Sequence, residues 1–318
     1  MAWKAGDVPD QTGRRFVVTG ANSGIGLEAT KVLEREGAEV VMACRSAERG
    51  EKAAEEIRRR DGDGEVRVEE LDLASLDSVR GFAERFDDGI DVLVNNAGLM
   101  AIPRSETEDG FEKQFGVNHL GHFALTGLVL DRIADDGRVV TVSSGMHERG
   151  KIDFEDLHGE GSYDKWDAYA QSKLANLLFA YELDRRLRAA GSDVKSIGVH
   201  PGYADTNLQK RGPEMAGSKL RKVMMVTANK IFAQSAEAGA LPTLYAATSP
   251  DAESGEYYGP GGLMNMRGTP ERQNSSKASY DEEAARRLWG VSEELTGVEY
   301  GLKTESERKE TDAGTSTG

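Results

Sequence analysis

Cysteine is nearly absent from this chain of 318 residues, and long apolar runs are missing altogether. A single cysteine, Cys44, cannot form an internal disulfide, which excludes a disulfide-stapled domain. No stretch approaches the ~20 apolar residues that a membrane-spanning helix needs. The opening MAWKAGDVPDQTGRR lacks the apolar core of a signal peptide. We therefore expect a cytoplasmic protein without a membrane span.

Basic residues are scarce relative to acidic ones. The chain has 40 Lys and Arg against 55 Asp and Glu, a net charge of −15. Nucleic acid and anionic membranes both require a positive surface, so neither is an expected partner. The acidity suits an ordinary acidic enzyme or, as we favour, halophilic adaptation to a salt-rich cytoplasm, where the Debye length falls to ~3 Å at 1 M.

Short β-branched runs alternate with helical patterns from residue 15 to about 260. The strand-like runs are RFVVT (15–19), EVVMA (39–43), VRVEEL (66–71), DVLVN (91–95), RVVTV (138–142) and VKSIGV (194–199). Helical patterns cover 24–36, 48–60, 75–86, 111–130 and 166–187. This alternation predicts an α/β fold, a single-domain Rossmann-type doubly wound parallel sheet with helices on both faces.

One domain accounts for residues 1–300, and we find no repeat or linker that would divide it. We expect a cofactor-binding half over about 12–145 and a catalytic and substrate-binding half over about 146–300. Residues 301–318 are polar and lack periodicity, which predicts a disordered tail.

The first predicted strand runs directly into TGANSGIG, residues 19–26, and a helix follows. Gly20 permits a tight turn, Gly24 lets the backbone approach a pyrophosphate, and Gly26 allows the helix to pack closely on the strand. Free N–H groups at the start of that helix favour an anion. The loop therefore predicts a dinucleotide site formed by Gly20, Asn22, Ser23, Gly24, Ile25 and Gly26.

The end of the second strand indicates which dinucleotide binds. An NAD site usually has an acidic residue there, which binds the ribose hydroxyls. This chain has Ala43 and Cys44 instead, followed by Arg45, whose guanidinium can pair with a 2′-phosphate. We therefore predict NADP(H), with NAD(H) as the less favoured alternative. After the third strand, Asp72 and Leu73 are placed to contact the adenine, although Asp72 could equally belong to the cap of the next helix.

A tyrosine and a lysine occur four residues apart in YAQSKLAN, residues 169–176. The surrounding pattern predicts an amphipathic helix, on which positions i and i+4 share one face. Tyr169 and Lys173 therefore point into the same space. Taken alone, such a pair is most often a buried tyrosine beside a lysine whose ammonium reaches solvent.

Motifs spread in order over residues 12–265 resemble those of the short-chain dehydrogenase/reductase family. They are TGANSGIG, NNAG (95–98), VNHLGHF (117–123), VSS (142–144), YAQSK (169–173) and HPG (200–202). ACRS, NHLGHF and the long interval from Ser144 to Tyr169 are similar to the retinol dehydrogenase and protochlorophyllide reductase-like subgroup, which generally uses NADP(H). The resemblance implies catalytic roles for Ser144, Asn118, Tyr169 and Lys173, and cofactor contacts from Asn95, Ala97, Gly98, Tyr169, Lys173, Pro201, Gly202 and Thr206.

The resemblance also implies a mechanism. In this family the tyrosine donates a proton to a carbonyl or removes one from an alcohol, the serine binds the substrate oxygen, and the asparagine completes a proton relay. A tyrosine pKa near 10 must fall toward ~7 for the basic role, which requires about 4 kcal/mol. We expect Lys173 to supply part of this and the oxidised nicotinamide the rest. Aligning RVVTVSS with the family places the catalytic hydroxyl at Ser144, with Ser143 as the alternative.

Two segments of the second half are expected to border the substrate. Residues 145–166 form an insertion beside the mouth of the site. The resemblance implies that the Met-containing segment 203–232 covers the substrate, with packing of its apolar residues on the sheet as the alternative. His147 and His158 of the insertion are expected at the surface, with contact to the substrate as the alternative. His119 and His122 lie three apart on a helix, but no carboxylate or cysteine completes a ligand set, so no metal site is predicted.

Together these features predict an NADP(H)-dependent oxidoreductase for a small-molecule alcohol, ketone or aldehyde, which we expect to be lipophilic. The alternative from another class is a catalytically silent protein of the same fold that senses NADP(H). Relatives of that kind lose the tyrosine or lysine, and this chain has both. A sugar-nucleotide epimerase or dehydratase shares the pair but has different glycine spacing and a larger C-terminal domain. The resemblance allows a homo-oligomer without specifying one.

Overall fold

A single sheet of eight strands forms the centre of the computed structural model, which describes residues 2–60, 62–202, 235–262, 265 and 267–302. The strands are β1 (Arg15–Thr19), β2 (Glu39–Cys44), β3 (Glu65–Glu70), β4 (Ile90–Asn95), β5 (Ile133–Val142), β6 (Lys195–Val199), β7 (Tyr257–Pro260) and β8 (Pro270–Arg272). Their spatial order is β3-β2-β1-β4-β5-β6-β7-β8. Strands β1 to β7 are parallel, and β8 pairs antiparallel with β7.

Helices cover both faces of the sheet. They are α1 (Gly24–Arg35), α2 (Ala47–Arg58), α3 (Leu76–Arg85), α4 (Lys113–Phe115), α5 (Gly121–Val129), α6 (Lys165–Ala189), α7 (Ala236–Thr248) and α8 (Glu282–Thr296). Helices α1, α2 and α7 share one apolar core with the sheet, and α3, α5, α6 and α8 share the other. The predicted doubly wound α/β fold is therefore confirmed. The strand order reverses between β1 and β4, the point at which ligands bind in open parallel sheets.

Burial on both faces explains the continuous apolar runs of the central strands. In β1, Phe16 and Val18 belong to the core under α1, whereas Val17 belongs to the core on the opposite face, and all three are fully buried. Branched side chains such as valine favour this extended backbone. Five of the six predicted strands agree with the structure within one residue at either end, and β5 begins earlier than predicted, at Ile133.

The helix predicted over residues 111–130 is interrupted. Helix α4 ends at Phe115, a π turn follows over Gly116–Leu120, and α5 begins at Gly121. The N–H of Gly121 donates to the carbonyl of Gly116, five residues back, as a π turn requires. Such a turn changes the direction of the side chains that follow it, and Asn118 lies within it. A 3.6-residue periodicity does not reveal this change.

The helix that carries Tyr169 is buried on all sides. Every residue from Tyr169 to Asp184 is buried, because α6 packs between the sheet and α8. Asp164 caps the start of α6 by accepting from the N–H groups of Trp166 and Asp167. The prediction of an amphipathic helix is therefore wrong over this stretch, since α8, which lies far along the chain, packs on α6 in addition to the sheet.

Strands β7 and β8 were not predicted, because both are short and only partly apolar. They extend the sheet beyond β6, where Tyr258 pairs with Val199 on one side and with Arg272 on the other.

Among the described residues, no helix has the length and apolar character needed to cross a bilayer. Thr206, the segment 203–232 and residues 303–318 of the predicted tail lie outside the described residues.

Candidate active site

A cleft of about 890 Å³ opens at the carboxyl ends of the parallel strands. This is the edge at which open α/β sheets bind ligands, and the volume is in the range of cofactor sites. The predicted residues on its wall are Gly20, Asn22, Ser23, Gly24, Ile25, Gly26, Arg45, Asp72, Leu73, Ala97, Gly98, Ser144, Tyr169, Lys173, Pro201 and Gly202. Two predicted residues, Asn95 and Asn118, are not among the residues that line it.

The glycine loop after β1 has the backbone that a dinucleotide site requires. Gly20 and Gly24 have φ angles of 66° and 57°, in the left-handed region that glycine tolerates. A Cβ on Gly26 would lie 2.8 Å from the carbonyl oxygen of Gly20, which is too close for any larger residue. The first turn of α1, with its unpaired N–H groups, borders the cleft. The loop and helix together fit a pyrophosphate.

Thr19 ties the turn after β4 to the end of β1. Its hydroxyl accepts from the N–H groups of Asn96 and Ala97, both at 2.9 Å. Asn96 lines the cleft, whereas the side chain of Asn95 is fully buried and donates to Thr126 at 2.9 Å. Asn95, predicted to contact the cofactor, therefore lies behind the cleft wall, and its neighbour Asn96 faces the cleft.

Three cations border the cleft where β2 passes into α2. Arg45, Arg49 and Lys52 all line it with exposed side chains, and Glu56 is the acid of α2 beside them. Ser46 caps the helix by accepting from the N–H of Arg49. Arg49 and Lys52 were missed by the sequence reasoning, although their spacing of three residues along a predicted helix indicated a shared face.

Asp72 shapes the turn before the next helix, which is one of the two interpretations that the sequence allowed. Its Oδ1 accepts from the N–H of Ala74 at 2.9 Å, and its own N–H donates to Ser78 at 3.0 Å, so it shapes the turn before α3. The N-cap itself is Ser75. Asp72 also lines the cleft beside Leu73, and its contact with an adenine stays a prediction.

Tyr169, Lys173 and Ser144 meet on one part of the cleft wall. Tyr169 and Lys173 are 4% and 3% exposed, and Lys173 Nζ lies 5.9 Å from the centre of the Tyr169 ring. The side chain of Ser144 is near enough to that of Tyr169 to lower the pKa of the phenol, an effect smaller than that of burial. Lys173 Nζ donates to the carbonyl of Val142 at 3.0 Å. A buried phenol, hydroxyl and amine at one place can deliver a proton to a substrate oxygen.

The adjacent serines have different partners. Ser143 is buried and donates to the carbonyl of Lys173 at 2.7 Å, so its hydroxyl is engaged with the backbone of α6. Ser144 is half-buried and accepts from the N–H of Met146 at 3.3 Å. Ser144 therefore has the hydroxyl beside Tyr169, whereas that of Ser143 is bonded to the backbone of α6.

Asn118 supports the site from behind the wall. It is fully buried, and its side chain bonds both the N–H and the carbonyl of Leu99, at 2.7 and 2.9 Å, and Ser172 Oγ at 2.9 Å. A Cβ on Gly98 would lie 3.2 Å from Asn118 Oδ1 and 3.5 Å from Lys173 Nζ, so only glycine leaves this space open. The side chain of Asn118 thus holds the segment after β4 that passes Lys173.

The pKa values of the pair differ from the expectation. Burial raises the pKa of Tyr169 to about 12, against a smaller lowering by the hydrogen bond with Ser144. Burial also lowers the pKa of Lys173 to about 8. The prediction that Lys173 lowers the pKa of Tyr169 is therefore wrong for the protein alone, because loss of hydration disfavours the charged form of both groups. At neutral pH the phenol is protonated and suited to donate.

His119 and His122 have separate hydrogen-bond partners. His119 Nε2 lies 2.9 Å from Ser292 Oγ in α8. His122 Nε2 lies 2.9 Å from Thr19 Oγ1, and its Nδ1 donates to the carbonyl of Asn118 at 3.1 Å. Burial lowers their pKa values to about 3 and about 4, so both are neutral. Within the described ranges, no group of three side chains is placed to hold a metal ion.

The insertion borders the cleft only at its ends, where His147 and Trp166 lie on the wall. Between them the chain is fastened to the start of α4. Tyr163 donates to the carboxylate of Glu112 at 3.0 Å, and His158 accepts from the N–H of Glu112 at 3.3 Å. The insertion expected beside the mouth of the site therefore lies at the cleft with both ends and is anchored between them. His147 is 2% exposed, so its expected surface position is wrong.

The chain is similar to dehydrogenases along most of its length. The sequence model described as short chain dehydrogenase matches residues 14–216. Retinol dehydrogenase 14 of Mus musculus is 42% identical, over 92% of this chain and 89% of that protein. Polyprenol dehydrogenase of Mus musculus is 43% identical, over 92% and 86%. A crystal structure of an uncharacterized protein from Mycobacterium paratuberculosis is 44% identical and has a TM-score of 0.80, over 95% of this chain and 100% of that chain.

Proposed function

The chain belongs to the short chain dehydrogenase family, and we propose that it is an NADP(H)-dependent oxidoreductase acting on a lipophilic alcohol or carbonyl compound. The observation that carries this proposal is the meeting of Tyr169, Lys173 and Ser144 on the wall of the cleft that the glycine loop borders. The bound cofactor would supply or accept the hydride.

The protein's own side chains would handle the proton and the substrate oxygen. Tyr169 would donate a proton to a carbonyl during reduction, and its raised pKa keeps the phenol in the protonated form that this step needs. The Ser144 hydroxyl would bind the same oxygen as negative charge develops on it. Lys173, charged below its pKa of about 8, would hold the ribose hydroxyls and stabilise the phenolate left after proton transfer.

The cations at the start of α2 support NADP(H) over NAD(H). Arg45, Arg49 and Lys52 are gathered on one part of a cleft in a chain whose net charge is −15. A 2′-phosphate accepts charge-assisted hydrogen bonds from such groups. The end of β2, at Cys44, has no carboxylate to repel it.

The wall near Tyr169 supports a lipophilic, uncharged substrate. Apolar and aromatic residues contribute to the cleft wall, and they include Leu99, Met100, Met146, Trp166 and Tyr257, together with the polar residues His147, His200, Gln273 and Asn274. Glu148 is the carboxylate of this part of the wall, and its side chain is exposed. The names of two relatives specify retinol and polyprenol, both lipophilic alcohols.

The proposal is tested by NADPH oxidation with a panel of carbonyls at low and multimolar KCl. The panel contains all-trans-retinal, a long isoprenoid aldehyde and small polar aldehydes, and turnover is expected with the lipophilic members. Tyr169→Phe should lower kcat by about 10³-fold or more with unchanged NADPH affinity, because the proton donor is lost. The control is Tyr163→Phe, which removes a phenol that bonds Glu112 and is expected to keep kcat within about threefold.

Three results would speak against the proposal. A Tyr169→Phe variant of near-normal rate would show that the phenol is not the proton donor. Tight NADPH binding without turnover on any carbonyl would favour the silent NADP(H)-binding alternative. Turnover confined to the small polar aldehydes would contradict the lipophilic substrate class.

The cofactor preference has its own test. Arg45→Asp should lower the ratio of kcat/KM for NADPH to that for NADH by about tenfold or more, because a carboxylate there repels the 2′-phosphate and can bind the ribose. Arg59→Asp makes the same charge change on an exposed residue of the segment after α2 that pairs with Glu55, and should leave the ratio unchanged. An unchanged ratio in Arg45→Asp would contradict the NADP(H) assignment.

A further inference from the structure

Two imidazoles enclose a tyrosine ring on the wall of the cleft. The centre of the Tyr257 ring lies 5.4 Å from that of His147, at an angle of 75°, and 5.2 Å from that of His200, nearly parallel at 22°. All three side chains line the cleft and are buried, with 2%, 2% and 5% exposed for Tyr257, His147 and His200. They come from the insertion, from β7 and from the turn after β6, so three distant parts of the chain meet here.

The hydrogen bonds of His147 determine which ring nitrogen carries its proton. The N–H of Ser276 donates to His147 Nε2 at 3.1 Å, and a backbone N–H can only donate, so Nε2 has no hydrogen. The proton is therefore on Nδ1, which donates to the carbonyl of Ser144 at 2.6 Å. The backbone N–H of His147 donates to the same carbonyl at 3.0 Å. One residue thus holds the carbonyl of Ser144 with two hydrogen bonds.

Hydrogen bonds also determine which ring nitrogen of His200 carries its proton. The N–H of Gly202 donates to His200 Nδ1 at 3.2 Å, so the proton is on Nε2, which donates to Gln273 Oε1 at 3.0 Å. Gln273 Nε2 in turn donates to the carbonyl of Pro260 at 2.9 Å, which fixes the direction of the amide. Residues 273–276 therefore form hydrogen bonds with both imidazoles that contact Tyr257, through Gln273 to His200 and through Ser276 to His147.

We propose that His147 is a positioning residue for the Ser144 hydroxyl. The ring cluster of His147, Tyr257 and His200 anchors His147 to residues 273–276. The proposal rests on the proposed function, because that function gives Ser144 its role at the substrate oxygen. Ser144 follows β5, and its hydroxyl accepts from the N–H of Met146 in the turn that His147 closes. Without the imidazole, one of the two bonds on the Ser144 carbonyl and the tie to Ser276 are lost.

Burial of His147 favours the neutral ring that this arrangement needs. Burial lowers its pKa, against smaller raising effects of the bond to Ser144 and of Glu148. A neutral ring leaves Nε2 free to accept from Ser276. Displacing a group that acts on the reacting atoms by ~1 Å can cost ~10²-fold in rate, so loss of this support should affect kcat.

Two amide substitutions separate the two hydrogen bonds of the imidazole. In His147→Asn the side-chain amide lies near the place of Nδ1 and can still donate to the carbonyl of Ser144. In His147→Gln it lies near the place of Nε2 and can accept from Ser276 only. His147→Phe keeps the ring and removes both bonds. The matched control is His158→Phe, which removes an imidazole of the same insertion that accepts a backbone N–H away from the cleft.

The positioning role predicts a specific order of rates in NADPH-dependent carbonyl reduction. Relative to the wild type, kcat should fall about 10- to 100-fold in His147→Phe and His147→Gln, and less than about fivefold in His147→Asn. The NADPH dissociation constant should change less than about threefold in all three, and His158→Phe should match the wild type. Equal kcat in the Asn and Gln variants, or a loss confined to NADPH binding, would overturn the proposal.

A spectroscopic measurement separates this proposal from the proposed function. Long-range proton–nitrogen correlation spectra of the full chain with ¹⁵N-labelled histidine should show His147 as a neutral ring protonated on Nδ1 at pH 7, assigned by its absence in His147→Phe. A ring protonated on Nε2, or on both nitrogens, would overturn the proposal even in an active enzyme. A wild type that reduces no carbonyl, or a Ser144→Ala variant of normal kcat, would overturn the proposed role of Ser144 at the substrate oxygen. The position of the proton on the His147 ring would still be decided by the spectrum.

Discussion

Lys173→Met is expected to stabilise the protein while removing its activity. Lys173 is 3% exposed, and burial lowers its pKa from 10.5 to about 8. Its ammonium donates to the carbonyl of Val142, which also accepts from Asn176 Nδ2 at 3.0 Å. Methionine has a similar length and no charge, so the substitution removes a buried ammonium and leaves that carbonyl with a partner.

The size of the effect follows from proton linkage. The unfolded chain keeps the lysine proton up to about pH 10.5, whereas the folded protein releases it near pH 8, so the buried charge destabilises the fold below pH 8. The interval between the two pKa values corresponds to about 3 kcal/mol at pH 6.5. As the pH rises through 8 the folded state loses the proton first, and the penalty falls to about 1.5 kcal/mol at pH 9.5.

Urea unfolding of the protein without cofactor, followed by circular dichroism at pH 6.5 and 9.5, measures this difference. The free energy of unfolding of Lys173→Met should exceed that of the wild type by up to about 3 kcal/mol at pH 6.5 and by about half as much at pH 9.5. Lys31→Met removes a lysine that pairs with Glu28 on α1 and should change stability by less than about 1 kcal/mol at either pH. A Lys173→Met protein less stable than the wild type at pH 6.5, or a gain that does not depend on pH, would refute the reasoning.

The remaining predictions concern pH, a buried cation and the glycine loop. In carbonyl reduction, kcat/KM should decline above about pH 8 as Lys173 loses its proton, and a profile that is flat to pH 10 would contradict this assignment. Arg138→Met should lower the free energy of unfolding by about 2–4 kcal/mol in urea titrations, because the buried guanidinium donates to the carbonyls of Ala246 and Ser249 at the end of α7, and only the second of these also accepts from a backbone N–H in the described part of the chain, that of Ala252. Gly26→Ala should abolish NADPH binding measured by fluorescence or prevent folding, since its Cβ would lie 2.8 Å from a backbone oxygen of the same loop, and normal affinity would show that the loop is not the cofactor cradle.

Features that depend on neighbouring residues were predictable from the sequence. The central strands are buried on both faces, so each is a continuous apolar run that needs no knowledge of the rest of the fold. Gly20 and Gly24 occupy backbone conformations that favour glycine wherever they occur. Tyr169 and Lys173 share a face because any helix places positions i and i+4 together.

Features that depend on distant parts of the chain required the tertiary structure. Asn96 replaces Asn95 at the cleft because the chain turns at the end of β4, and the pattern of residues does not specify the last residue of a strand. His147 is buried because Tyr257 of β7, more than one hundred residues later, packs against its ring.

The pKa values belong to this second group as well. The sequence by itself determined that a phenol and an amine lie close together, and this suggested an amine that makes the phenol more acidic. The structure shows that α6 is covered on all sides, so both groups lose hydration and the pKa of Tyr169 rises to about 12. Spacing along a helix sets which side chains meet, but the packing of every surrounding element decides how much water each charge retains.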